Sequence, residues 1–170
     1  MNPRALSPQV LALVVNLAIV LIACSKSEGA GASAASKEPA PPAAKVEAPH
    51  YAIELKPKAG CKVGAECLAT VELDARGGYH INQEFPYRFT AGPAKGLVYL
   101  GRDTAAPGVF SKASGDHATP SEAHATMTVR FRPTAAGAAQ VAGAYKFSVC
   151  SEQNCQVEVA ELAAPLDAAP

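Results

Sequence analysis

The chain has no tryptophan, and only five tyrosines and five phenylalanines among its 170 residues. With so few rings, the core must be small and built mostly from Val, Leu and Ile. Its apolar content is misleading, because 36 residues are alanine. Neither charge is in excess: 15 Lys plus Arg balance 15 Asp plus Glu. That leaves no basic field to grip nucleic acid, and none is expected as a partner. No glycine-rich phosphate loop follows a strand pattern, which excludes a doubly wound nucleotide-binding fold. His50, His80, His117 and His124 fall neither at i, i+4 spacing nor in a Cys-x-x-Cys frame. No metal and no other cofactor is therefore expected. No Ser-His-Asp spacing supports hydrolysis.

Long apolar runs are also scarce. One stretch, Val10 to Ala23, is interrupted only by Asn16. At 1.5 Å per residue it reaches about 21 Å, short of a hydrocarbon core of about 30 Å. Arg4 and a short polar stretch precede it. Length and flanks predict an export signal over residues 1–23. The run ends in Leu21-Ile22-Ala23-Cys24, which resembles a bacterial lipoprotein signal. That resemblance implies acylation of Cys24 and a membrane partner reached through the lipid. It places the protein in the bacterial cell envelope, facing the periplasm. Ser25 rather than Asp follows the cysteine, which leans toward the outer membrane. More than one acyl chain is needed for stable anchoring.

Residues 24–49 hold the expected lipid site and a linker rich in Ala, Ser, Gly, Glu, Lys and Pro. Such a stretch lacks the apolar surface to offset its ordering entropy. Pro39, Pro41 and Pro42 stiffen it. It reads as a tether. Residues 50–165 are expected to form one domain, and residues 166–170 a flexible tail.

The domain reads as all-β. Ala125, Met127, Val129 and Phe131 alternate with Thr126, Thr128, Arg130 and Arg132, the pattern of a half-buried strand. Arg130 and Arg132 then face solvent. Residues 67–74 and 145–150 alternate in the same way. Shorter candidates cover residues 51–56, 79–82, 87–90, 97–100 and 155–162. Turn signals separate them at Lys58-Ala59-Gly60, Arg76-Gly77-Gly78, Ala91-Gly92-Pro93 and residues 133–137. Seven to nine short antiparallel strands predict an immunoglobulin-like β-sandwich. Residues 102–123 are weakly patterned and read as a long loop or irregular edge.

Besides Cys24 there are four cysteines, which allow three connectivities. Proximity favours Cys61 with Cys67 and Cys150 with Cys155. The four residues between Cys150 and Cys155 suit a hairpin loop. Residues facing each other across such a hairpin stand about 4.5–5.5 Å apart at Cα, within reach of a disulfide. The Cys61–Cys67 bridge reads as a structural staple. For Cys150 and Cys155 two readings stand: a staple, or a pair active in thiol–disulfide exchange. Glu152, the nearest charge, raises a thiol pKa, and no Lys or Arg adjoins the pair.

Gly78-Tyr79-His80-Ile81-Asn82 with Phe85-Pro86, then Tyr145-Lys146-Phe147-Ser148-Val149-Cys150 and Cys155, resembles the periplasmic N-terminal domain of the thiol:disulfide interchange protein DsbD. The resemblance spans roughly residues 50–163. It implies an immunoglobulin-like sandwich whose Cys150/Cys155 pair relays electrons. The implied partners are a membrane electron carrier and thioredoxin-like proteins. It implies Tyr79 as a site-lining residue and Phe110 as the aromatic of a capping loop. Electron carriage and a thioredoxin-like domain are then expected from separate proteins. The Pro-Pro that often follows the second family cysteine is replaced by Gln156-Val157-Glu158, and Cys61 and Cys67 are additional. The competing reading is a non-catalytic envelope binding or assembly lipoprotein with both disulfides structural.

Overall fold

The computed structural model describes residues 42–170. The expected signal peptide, Cys24 and most of the expected linker lie outside the described residues. Eleven strands follow in chain order: β1 Lys45–Ala48, β2 Tyr51–Pro57, β3 Cys67–Ala75, β4 His80–Ile81, β5 Arg88–Ala91, β6 Leu97–Tyr99, β7 Val109–Ser111, β8 His117–Ser121, β9 His124–Pro133, β10 Gly137–Cys150 and β11 Cys155–Ala168. One sheet has the order β1-β2-β3-β9-β6, with β8 also on β9; the other has β11-β10-β5-β7, with β4 also on β10. Every named pairing is antiparallel. The fold is the expected β-sandwich, with more strands than the alternation revealed.

Alternation dictates which face goes inside. Ala125, Met127, Val129 and Phe131 of β9 are fully buried, as are Val71 and Leu73 of β3. They meet Val141, Tyr145, Phe147 and Val149 of β10 in one core. Tyr51 of β2 packs edge-on against Phe147 of β10 at 4.8 Å between ring centres, tying sheet to sheet. The few rings of this chain are spent at such crossings, where one side chain spans the gap between layers.

Three boundaries differ from expectation. The folded region starts before His50. Residues 45–48 pair with β2, the Ala43 carbonyl accepts from the Ala163 amide at 3.1 Å, and that of Ala44 from Leu55 at 2.7 Å. This segment is held by backbone pairing, which needs no large side chains. At the other end, β11 runs to Ala168. The Ala169 amide donates to Cys61 and its carbonyl accepts from Val63, both at 2.9 Å. The expected tail is therefore a bound strand end, held by the Cys61–Cys67 loop. Residues 102–123 contain β7 and β8, organised by Asp116. Its side chain is fully buried. Its oxygens accept from Arg130 at 2.5 Å, Ser114 Oγ at 2.8 Å and the Ser111 amide at 3.2 Å. Burial by itself would raise its pKa, but these donors together hold it below the ordinary carboxylate value. Arg130 is thus not a solvent-facing residue; its side chain is 14% exposed. Buried charge is tolerated there because it is paired and hydrogen-bonded.

Gly143 marks the tightest point of the core. A Cβ there would stand 2.5 Å from the Thr90 carbonyl oxygen and 2.6 Å from the Phe89 ring. Only glycine lets β5 lie this close to β10. Gly143→Ala is expected to lower stability by about 1–3 kcal/mol through overpacking. A urea unfolding midpoint that does not move would show that the Phe89 ring yields freely.

Candidate functional site

Cys150 ends β10 and Cys155 begins β11, directly opposite each other in the ladder. The two form a disulfide with Cα atoms 3.9 Å apart. That is closer than the 4.5–5.5 Å expected for facing residues. The next pair outward is hydrogen-bonded: the Ser151 amide donates to the Asn154 carbonyl at 2.8 Å. Hydrogen-bonded and non-bonded pairs alternate along such a ladder, so the cysteines occupy a non-bonded position, where facing side chains come closest. The connecting loop is ordered by Ser151. Its hydroxyl oxygen accepts from the amides of Gln153 and Asn154, each at 3.2 Å. A serine at the loop start does this locally, without help from the core.

The other edge of β10 carries β4. There Cys150 faces His80, and Val149 faces Ile81. Facing residues point to the same side of a sheet, and neighbours along a strand to opposite sides. Val149 and Ile81 enter the core. Cys150, Cys155 and His80 therefore stand in a row on the outer face. Cys150 is 6% exposed, whereas Cys155 is an exposed residue. A hollow of about 320 Å³ opens beside Cys150, lined also by His80, Ile81, Asn82, Gln83 and Glu122. Asn82 is fixed by its amide, which donates to the Ser148 carbonyl at 3.2 Å. Its side-chain Nδ2 donates to Ser148 Oγ at 3.3 Å. Ile81 is fixed by its amide on the Glu122 carbonyl at 2.7 Å. Down β11 from Cys155, Val157 and Val159 lie on the same outer face, 56% and 57% exposed.

Tyr79 reaches the neighbourhood of the pair through its hydroxyl, which accepts from Gln156 Nε2 at 2.9 Å. Gln156 directly follows Cys155. Phe110 lies elsewhere: it faces Phe89 across β7 and β5, is fully buried and touches Tyr99 in the core. It does not line the hollow beside Cys150. Cys61 and Cys67 form the second disulfide, with Cα atoms 5.8 Å apart. It lies at the opposite end of the sandwich, where Cys67 faces Phe131. The sequence placed His80 and Asn82 in a strand candidate but gave neither of them, nor Glu122, a part in the site. The Gly78–Asn82 motif contains two of them, but nothing in it reveals that β4 pairs with the last residue of β10.

The other histidines are dispersed. His124 Nδ1 lies 2.7 Å from Asp74 Oδ1, and His50 Nε2 lies 3.4 Å from Glu158 Oε1. His117 stacks on Tyr87 at 4.1 Å, and the Tyr87 hydroxyl donates to the Ser148 carbonyl at 2.7 Å. Among the described residues no group of three His, Cys, Asp or Glu side chains is placed to hold a metal ion, and no helix is long and apolar enough to cross a membrane.

No family model, no curated protein and no solved structure matches this chain.

Burial, with Lys112 adding repulsion, lowers the His117 pKa from 6.5 to about 4. Between those values the unfolded chain binds the proton and the folded chain does not. Stability therefore rises with pH across the window and is lost as pH falls from 6.5 toward 4. Partial exposure limits the effect to about 1–2 kcal/mol. His117→Phe keeps the stack on Tyr87 and removes the titration. Urea unfolding of the two proteins at pH 4.5 and pH 7 is expected to show the steeper loss in the histidine form.

Proposed function

We propose that the protein is a thiol–disulfide interchange module of the bacterial cell envelope, anchored by lipid at Cys24 and relaying electrons through Cys150 and Cys155. One observation carries the reading: the Cys150–Cys155 bridge sits at an open hairpin end, with one cysteine exposed and the other facing a hollow. A structural staple gains nothing from such access. An exchanging disulfide needs it, because an incoming thiolate must reach one sulfur in line with the S–S bond. The exposure of Cys155 supports the assignment: a hollow of about 230 Å³ also borders Cys61 and Cys67, but both of those cysteines are buried and their loop holds the end of β11. Exposed Val157 and Val159 supply apolar contact for a protein partner beside the pair. Thioredoxin-like proteins and a membrane electron carrier are the partners this chemistry calls for.

The exposure of Cys155 supports one order of events. A partner thiolate attacks Sγ of Cys155. The disulfide breaks, its electron pair passes to Sγ of Cys150, and a mixed disulfide joins the partner to Cys155. A second partner thiolate then attacks its own sulfur in that bridge and releases Cys155. Two electrons have entered the pair, and the partner leaves as a disulfide.

Equilibration of the protein in glutathione or dithiothreitol buffers, with thiols trapped and assigned by peptide mass, tests the reading. The Cys150–Cys155 pair is expected to reduce well above about −300 mV while Cys61–Cys67 stays oxidised. A pair that resists until the domain unfolds would leave a stapled binding or assembly lipoprotein instead. The order of events is tested separately. With the oxidised full chain and limiting glutathione, acid-quenched early and assigned by peptide mass, glutathione is expected on Cys155 at least about tenfold more often than on Cys150. Equal occupancy would remove the assignment of Cys155 as the attacked sulfur.

A further inference from the structure

The interchange reading leaves one event without a protein group: the charge that arrives on Cys150 when its bond to Cys155 breaks. Cys150 is nearly buried, and a thiolate out of water is costly unless something stabilises it. Its surroundings on the outer face are few. Cys155 lies on one side and His80 on the other, each its direct partner in the ladder. Glu122 lines the same hollow from the loop before β9. Glu152 follows two residues later in the hairpin loop. Both carboxylates oppose a thiolate. Lys146, the nearest lysine on β10, stands four residues back and faces Arg88 and Val159, not Cys150.

We infer that His80 is the positioning residue for Cys150: as imidazolium it stabilises the Cys150 thiolate that leaves when the bridge breaks, and as imidazole it takes the Cys150 proton when the bridge closes again, making Cys150 the better leaving group of the pair. The inference rests on the interchange reading for its purpose, but its geometry stands on the ladder alone. Facing residues in an antiparallel pair have Cβ atoms about 4.5–5.5 Å apart. His80 and Cys150 also line the same hollow, so imidazole and sulfur border one space. Proton transfer from thiol to imidazole gives an imidazolium–thiolate pair, the arrangement that lowers a cysteine's pKa. A leaving thiol of lower pKa departs faster. When the pair is re-oxidised by a partner disulfide, Cys155 attacks it and forms the mixed disulfide; Cys150 then gives its proton to the same imidazole, its thiolate attacks Sγ of Cys155, and the partner thiolate leaves with the electron pair. His80 is an exposed residue, so that proton has a path to solvent.

The test uses the full chain carrying Cys155→Ser, which frees Cys150 whether or not the natural pair exchanges. Thiolate absorbance near 240 nm against pH reads the Cys150 titration. His80→Gln is expected to raise its midpoint by about one unit or more, and His80→Lys to restore it by returning a positive charge. In otherwise natural chains, His80→Gln is expected to slow reduction of the pair about threefold to tenfold. An independent measurement needs no substitution: the His80 ring protons, followed by NMR, are expected to titrate at higher pH in the reduced chain than in the oxidised one. An unchanged Cys150 midpoint in His80→Gln, or a His80 titration indifferent to reduction, overturns the inference. Failure of the natural pair to reduce overturns the interchange reading instead, and the Cys150 titration still decides the role of His80.

Discussion

Fourteen successive residue pairs join β10 to β11, from Gly137 facing Ala168 to Cys150 facing Cys155. Much of the structure depends on that register. A slip of one residue would turn Tyr145, Phe147 and Val149 out of the core and take Cys150 out of line with its partner. The hydrophobic cost of such a slip is large, because those three side chains are fully buried. The register that buries them also delivers Cys150 and Cys155 to facing positions on the outer face. Core packing thus places the Cys150–Cys155 pair, although the pair takes no part in the core cluster.

The sandwich treats its two ends differently. At one end the Cys61–Cys67 loop binds the close of β11 through backbone hydrogen bonds. At the other, β10 and β11 continue to a short loop ordered by Ser151, and β4 adds only two residues beside them. A strand so short covers the edge of β10 without roofing it, which leaves the hollow beside Cys150. The first end is suited to holding the fold. The second leaves one sulfur-bearing residue of its disulfide exposed, outside the core.

Asp116 stabilises the irregular part of the chain between these ends. Its contacts with Arg130, Ser114 and the Ser111 amide let residues 102–123 lie along the sandwich without a continuous apolar pattern. Phe110 is carried into the core by the same segment, and Arg130 lies over its ring at 5.6 Å. An aromatic in a poorly patterned loop reads equally well as a cap or as core, and the pairing of β7 with β5 decides for core.

Alternation of apolar and polar residues was legible at Ala125–Arg132 and at Cys67–Asp74, because a strand with one buried face must show period two. The cysteine pairings were legible because short separations and a hairpin loop leave little choice. Gly137–Ala144 was not legible as strand, since glycine and alanine carry almost no face preference, and only pairing with β11 gives them one. The same holds for Ala43–Ala48. Arg130 looked solvent-facing because nothing local announces a buried carboxylate fourteen residues away. His80 beside Cys150 was the least legible of all. The sequence by itself determined an all-β domain with two local disulfides, properties set by neighbours along the chain. Only the tertiary structure decided which disulfide lies open and which imidazole stands next to it, because cross-strand pairing brings together residues that no local pattern links.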